Sequence, residues 1–203
     1  MAAVRRAVHP IETESYRIIR SVVDTRGLPR HGRDVTERII HTTADPSWHT
    51  DLVLDEDALV AGAAALAGGA PLVVDVTMVA AGVTSYPSIC LVKAAETAET
   101  AAATGLTRSA AAVRLAARQA ADGAVWAVGN APTALYELLS LAATGAVRPA
   151  LVIGLPVGYV GAAESKAALR ATGLPQLSNV SARGGSAVAA AAVNALLYGD
   201  PLS

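Results

Sequence analysis

From Pro71 onward the chain alternates short apolar runs with alanine-rich stretches, and this rhythm restricts the fold more than any other feature. The runs are "PLVVDV" (71–76), "SICLV" (88–92), "AVWAV" (124–128), "ALVIG" (150–154) and "QLSNV" (176–180). Each is too short for a helix, and a strand buried on both faces reads as a continuous apolar run. Between them "TRSAAAVRLAARQA", "APTALYELLSLAA", "AESKAALRA" and "SAVAAAAVNALL" favour helix by alanine propensity as well as by pattern. Parallel strands need crossovers of this kind. Before this region, "IETESYRIIRSVVDT" and "RDVTERII" carry apolar residues at helical spacing, and a third helix runs from about Asp55 to Leu66 and stops at Gly68-Gly69. Two helices are thus expected before any strand. The expectation is an α/β fold: three layers, a mainly parallel five-stranded sheet with helices on both faces, preceded by N-terminal helices, all in one domain over residues 1–203.

Length supports a single core. The sequence is 53% hydrophobic and 16% charged, which excludes disorder, and it has no Phe, so the core is built from Val, Leu, Ile and Ala with close helix-to-sheet approach. A net charge of −1 gives no overall attraction to nucleic acid or to an anionic membrane; an anionic ligand has to meet local cations. Residues 59–83 are apolar, but Gly68-Gly69, Pro71 and Asp75 interrupt them, which argues against a membrane span. Cys90 is the only cysteine, so no internal disulfide or multi-cysteine zinc site forms, in keeping with a reducing cytoplasm. "MAAVRRAVHPIETE" lacks the apolar stretch of a secretory signal.

In an open parallel sheet ligands bind at the carboxyl ends of the strands. Three such junctions carry glycine: "VGNAPTAL", "IGLPVGYVGAAESK" and "SARGGSAV". Their glycines make tight turns, or they let a ligand approach a helix N-terminus with its unpaired N–H groups. Asn130 is placed to cap a helix, with Pro132 in its first turn. The spacing from Gly158 to Lys166 does not fit a phosphate loop, and no G-x-G-x-x-G follows a strand, so nucleotides have no motif. The four histidines, His9, His31, His41 and His49, form no tight ligand pair for zinc.

His41 stands in "RIIHTTADPSW", where an apolar helix should stop. It is either a structural histidine or one whose imidazole faces a pocket and exchanges a proton near neutrality. Arg108 and Arg183 stand at the start of alanine-rich helices, against the helix dipole, where an arginine beside free N–H groups receives a carboxylate. Lys93 and Lys166 are solvated or belong to the same rim. Asp75 is a helix cap or a site residue.

Together "HPIETESYRII", "RIIHTTAD", "LVVDVTMVAAGV", "LTRSAAAVRL", "VGNAPTALYELL", "GLPVGYVGAAESK" and "RGGSAVAAAAVNAL" resemble the precorrin-8X methylmutase family, with its cobalt-precorrin-8 counterparts, from about His9 to Leu197. The resemblance implies migration of a methyl group from C-11 to C-12 of the macrocycle to give hydrogenobyrinic acid. It also implies no redox cofactor, and a homodimer with its site near the subunit boundary. Carried over, the catalytic histidine falls on His41, the substrate-contacting serine on Ser15 and the "TRSA" arginine on Arg108. On this reading His41 protonates the ring C nitrogen. Arg108, Arg183 and the glycine-marked helix starts at Gly129 and Asn130 hold the substrate carboxylates, while Ser15 and Thr84 hydrogen-bond the macrocycle periphery. Hand-over to neighbouring cobalamin-pathway enzymes follows from the same resemblance. The competing readings are the cobalt-containing substrate, a corrinoid carrier without turnover, and a nucleotide-binding module.

Overall fold

The protein is described by a computed structural model covering residues 8–202. The expectation for the N-terminal lead therefore lies, for residues 1–7, outside the described residues. In chain order the elements are α1 (Pro10–Val22), α2 (Arg30–Thr43), α3 (Trp48–Asp51), β1 (Leu52–Leu54), α4 (Glu56–Ala67), β2 (Leu72–Val74), α5 (Thr77–Gly82) and β3 (Ser88–Ile89). There follow α6 (Ala95–Thr104), α7 (Arg108–Ala116), β4 (Val125–Val128), α8 (Pro132–Ala143), β5 (Leu151–Gly154), α9 (Ala162–Ala171), β6 (Gln176–Asn179) and α10 (Ser186–Tyr198).

Among the described residues the sheet has six strands, in the order β1-β6-β5-β4-β2-β3, not five. All five expected strands are present and mutually parallel; the sixth, β1, pairs antiparallel with β6 at the edge, Val53 opposite Ser178. A strand and the short helix α3 thus come before α4, which corrects the expectation that only helices open the chain. β1 has three half-buried residues, too few to show a period of two. "SICLV" contributes only Ser88 and Ile89, as the opposite edge.

Alternate residues of each central strand enter two separate cores, which accounts for the three layers. Val74, Val125, Ala127, Leu151 and Ile153 pack on one face with Ile39, Leu59 and the alanines of α10. Val73, Trp126, Val128 and Val152 pack on the other with Val113, Leu135, Leu138 and Leu169. Without Phe the space between layers is closed by near approach. A Cβ on Gly154 would stand 2.6 Å from Leu169 Cδ2, and one on Gly62 would stand 2.4 Å from Leu151 Cδ2.

The chain leaves β2 toward β3 on one side and returns to β4 on the other, so the switch point of the sheet lies between β2 and β4. Asp75 directly follows β2 there. Its carboxylate accepts the backbone N–H groups of Gly129 (3.0 Å), Asn130 (2.8 Å) and Ala131 (2.9 Å) at the start of α8. Burial raises its pKa, and the three N–H donors oppose that shift. The N-cap of α8 is Ala131, not Asn130, and the capping acceptor comes from the neighbouring strand. Pro132 occupies the first turn as expected.

Candidate active site

The site is built where α1 crosses α2. On α1, Glu12, Tyr16 and Ile19 recur at helical spacing and are buried; on α2, Glu37, Arg38 and His41 fall on one stripe. The two stripes meet through polar pairs. Arg38 donates to Glu12 at 2.8 Å, and Arg20 makes a forked contact with Glu37 at 3.0 and 2.8 Å. Ser15 Oγ lies 2.7 Å from His41 Nδ1. The Tyr16 ring lies beside the imidazole, centroids 5.3 Å apart and tilted 33°, and the Arg38 guanidinium sits 5.6 Å from the Tyr16 centroid. Adjacent residues of α1 therefore hold the imidazole by an edge and by a face.

His41 opens on a cleft of about 430 Å³, walled on one side by Ile11, Ile18 and Val22 and bounded on the other by Ala44 and Pro46. Ile11 is 73% exposed, an unusual condition for so large an apolar side chain on a packed helix. α2 does not stop at His41, as the sequence had suggested, but continues to Thr43. The Thr42 and Thr43 hydroxyls bond the Arg38 and Ile39 carbonyls at 2.9 and 2.8 Å, and Ala44 closes the helix at φ 52°. The imidazole reaches the cleft because residue 41 shares the α1-facing stripe, not because the helix ends there.

Ser15 and His41 are the two expected site residues that the fold brings together. The N–H groups of Gly129 and Asn130 are taken by Asp75, and a Cβ on Gly129 would meet Ala189 Cβ at 2.8 Å, so this glycine serves packing with α10. Arg183 lies in the loop before α10 and is committed to the protein's own acids. It is bonded to Asp45, donates to Ser47 at 2.8 Å and to Asp51 at 3.1 Å, and stacks on Trp48 at 4.4 Å. Burial raises the pKa of Asp51, but donors from Ser181, Asn179 and Arg183 outweigh it and bring the carboxyl to about 2.

Lys166 is neither solvated nor on a rim: it is fully buried, and its Nζ donates to Asn179 Oδ1 (2.8 Å), Ser181 O (2.5 Å), Arg183 O (2.6 Å) and Pro156 O (3.3 Å). Burial lowers its pKa to about 8. Arg108 is exposed at the first turn of α7, beside a second hollow of about 310 Å³ that includes Thr107 and Thr133. Thr84 is exposed near the C-terminal end of α10, next to Ser85, whose hydroxyl meets Tyr198. Lys93 is exposed.

Sequence reasoning missed Tyr16, Arg38 and Glu12. The available signal was the recurrence of polar residues at three- and four-residue spacing on otherwise buried helix faces. Among the described residues no group of three or more His, Cys, Asp or Glu side chains is placed to hold a metal ion, and no helix is long and apolar enough to cross a membrane.

Residues 10–199 match the family model for precorrin-8X methylmutase. The precorrin-8X methylmutase of Pseudomonas aeruginosa is 43% identical over 194 residues, covering 92% of this chain and 93% of the relative. The cobalt-precorrin-8 methylmutase of Methanocaldococcus jannaschii is 37% identical over 163 residues, covering 80% and 77%. The solved precorrin-8x methyl mutase of Thermus thermophilus superposes with a TM-score of 0.85 at 36% identity, covering 92% and 93%. With the family model spanning nearly the whole chain and relatives similar along most of their length, the chain belongs to the precorrin-8X methylmutase family, isomerases of corrin biosynthesis.

Proposed function

We propose that the protein moves a methyl group from C-11 to C-12 of metal-free precorrin-8X to give hydrogenobyrinic acid, with His41 as the group that exchanges a proton with the macrocycle. The observation that carries this reading is the imidazole at the mouth of a cleft walled by Ile11, Ile18 and Val22. Apolar walls suit the face of a conjugated ring system, and an imidazole among them suits a rearrangement that neither gains nor loses atoms. The metal-free substrate is favoured by the higher identity to the Pseudomonas aeruginosa relative, 43% against 37% for the cobalt-named one.

The shift is intramolecular, so the protein need not bring two reactants together; it has to favour one electronic form of the substrate. His41 gives a proton to the ring C nitrogen, the conjugated system redistributes, the methyl group moves to the neighbouring carbon, and the proton returns. Of the two arginines expected at the site, Arg108, exposed and without a hydrogen bond or ion pair among the described residues, is the one left to meet a substrate carboxylate. Two copies associate with their clefts near the boundary, a reading supported by the exposed stripe on α1. Thr84, distant along α10 from the residues around Arg183, contributes only in such a dimer. Cytoplasmic residence and hand-over to neighbouring pathway enzymes belong to the same reading.

The test is the absorption spectrum of the protein with metal-free precorrin-8X over time, for wild type and His41→Ala. Wild type should yield the hydrogenobyrinic acid chromophore, and a folded His41→Ala should be slower by about 10²-fold or more. Near-normal turnover by the variant would remove His41 from the chemistry. Turnover only of the cobalt-containing substrate would correct the substrate, and retained ligand without conversion of either would indicate a carrier.

A further inference from the structure

Ser15 was expected to touch the substrate, yet its hydroxyl is engaged with His41 Nδ1 at 2.7 Å, and both side chains are half-buried. We infer that Ser15 is a positioning residue that holds His41 through Nδ1, so that proton exchange with the macrocycle falls to Nε2. The inference rests on the reading of His41 given above.

The chemistry of the pair supports it. A hydroxyl both donates and accepts, whereas a carboxylate only accepts. Facing an imidazolium, Ser15 Oγ accepts from Nδ1–H. When the Nε2–H bond breaks and an N–H bond forms on the ring nitrogen, the same Nδ1–H···Oγ bond persists, and the reverse transfer restores the starting state. The serine's own hydrogen has an outlet inside a helix, where hydroxyls commonly bond the carbonyl four residues earlier. The Nδ1–H···Oγ bond itself does not have to reorganise during the transfer. A carboxylate in place of the serine would pair with the imidazolium and hold the proton back.

The surrounding groups leave this task to Ser15. Tyr16 approaches the imidazole as a ring. Arg38 is paired with Glu12 at 2.8 Å. Glu14, which also lines the cleft, lies 3.5 Å from Arg17 on its own helix. Beyond α2, Asp45 is bonded to Ser47 at 2.6 Å and to Arg183. Among the described residues Glu12, Glu14 and Asp45 are thus engaged with other groups, and Ser15, the partner at Nδ1, is neutral.

The experiment uses full-length protein with ¹⁵N-labelled histidine, His41→Ala assigning the resonance. In ligand-free wild type the His41 nitrogens should report one tautomer, protonated at Nδ1, and Ser15→Ala should shift them toward a mixture. In turnover Ser15→Ala should lose about 10²-fold in kcat while affinity for hydrogenobyrinic acid changes by less than about threefold. Ser15→Thr, which keeps the hydroxyl, should recover most of the rate, and Ser15→Asp should move the pH profile upward. Unchanged ¹⁵N shifts in Ser15→Ala, or a loss of product affinity as large as the loss in kcat, would overturn the inference; the latter would make the serine a ligand contact. If wild type converts neither form of precorrin-8, the functional reading fails, and the ¹⁵N shifts still decide the serine–histidine bond.

Discussion

Replacing Lys166 by methionine tests how the loops at the carboxyl edge are held. The ammonium is fully buried and makes three short hydrogen bonds, to Asn179 Oδ1, Ser181 O and Arg183 O, with a longer one to Pro156 O. Hydrogen bonds from a charged donor contribute about 1.5–3 kcal/mol each, so the three short ones amount to roughly 5–9 kcal/mol. Against this stands the penalty of burying the charge: a pKa reduced by burial from 10.5 to about 8 corresponds to about 3 kcal/mol. Methionine fills similar volume, removes the penalty, and takes the ammonium donor from all of these acceptors, leaving Ser181 O and Arg183 O only the longer bonds from Asn179 Nδ2 (3.3 and 3.1 Å). The expected net loss is about 2–5 kcal/mol, or roughly 5–15 °C in Tm for a chain of this size. Urea denaturation with an unchanged m-value is the assay. The pH dependence gives a second reading. The native state releases the Lys166 proton near pH 8 and the unfolded chain near 10.5, so between them the unfolded chain binds more protons and wild type gains stability as pH rises. Methionine lacks that gain, so the difference between the two proteins should widen above pH 8, by at most about 3 kcal/mol. A loss below about 1 kcal/mol at pH 7 would refute the assignment of these bonds as the tether.

Asp34 is buried, its Oδ1 has no hydrogen-bond partner, and burial together with Asp200 raises its pKa to about 6. Its native-state proton is released by the unfolded chain near 3.8, so the stability it contributes is present below that pH and lost as pH rises through about 6. Asp34→Asn should therefore match wild type near pH 4 and exceed it by about 1–2 kcal/mol at pH 7.5 in urea melts. A Cβ on Gly184 would stand 2.3 Å from Leu155 O and 2.5 Å from Pro156 O, at φ 157°. Gly184→Ala should lose about 3 kcal/mol or more, or fail to accumulate as folded protein, whereas Gly123→Ala, with open space around it at φ 71°, should lose only about 1–2 kcal/mol in thermal melts.

The central strands were legible because burial on both faces makes them plain apolar runs: Leu72–Val74, Val125–Val128 and Leu151–Gly154 stand out without any knowledge of their neighbours. β1 was not, since its three residues become a strand only by pairing with Leu177–Asn179, far along the chain. The same separation governs the charged groups. Arg183, Lys166 and the N–H groups after β4 read as open donors in the sequence. The acceptors that satisfy them, Asp51, Asn179 and Asp75, arrive from other segments, 132 positions away for Arg183 and Asp51 and 54 for Gly129 and Asp75. Ser15 and His41 were named through family resemblance, but their contact, 26 residues apart, follows from the crossing of α1 over α2, which no local pattern encodes.

Asp75 also bears on what the protein ignores. A carboxylate tethered to its own receptor has an effective concentration that free ligands at millimolar levels do not match. Phosphate, acetate or a small dicarboxylic acid therefore competes poorly for the amides of Gly129, Asn130 and Ala131, although such a crevice is where an open α/β sheet would ordinarily admit them. Discrimination against the many small anions of a cell is in this way built into the scaffold itself, by a carboxylate that already occupies the amides they would seek.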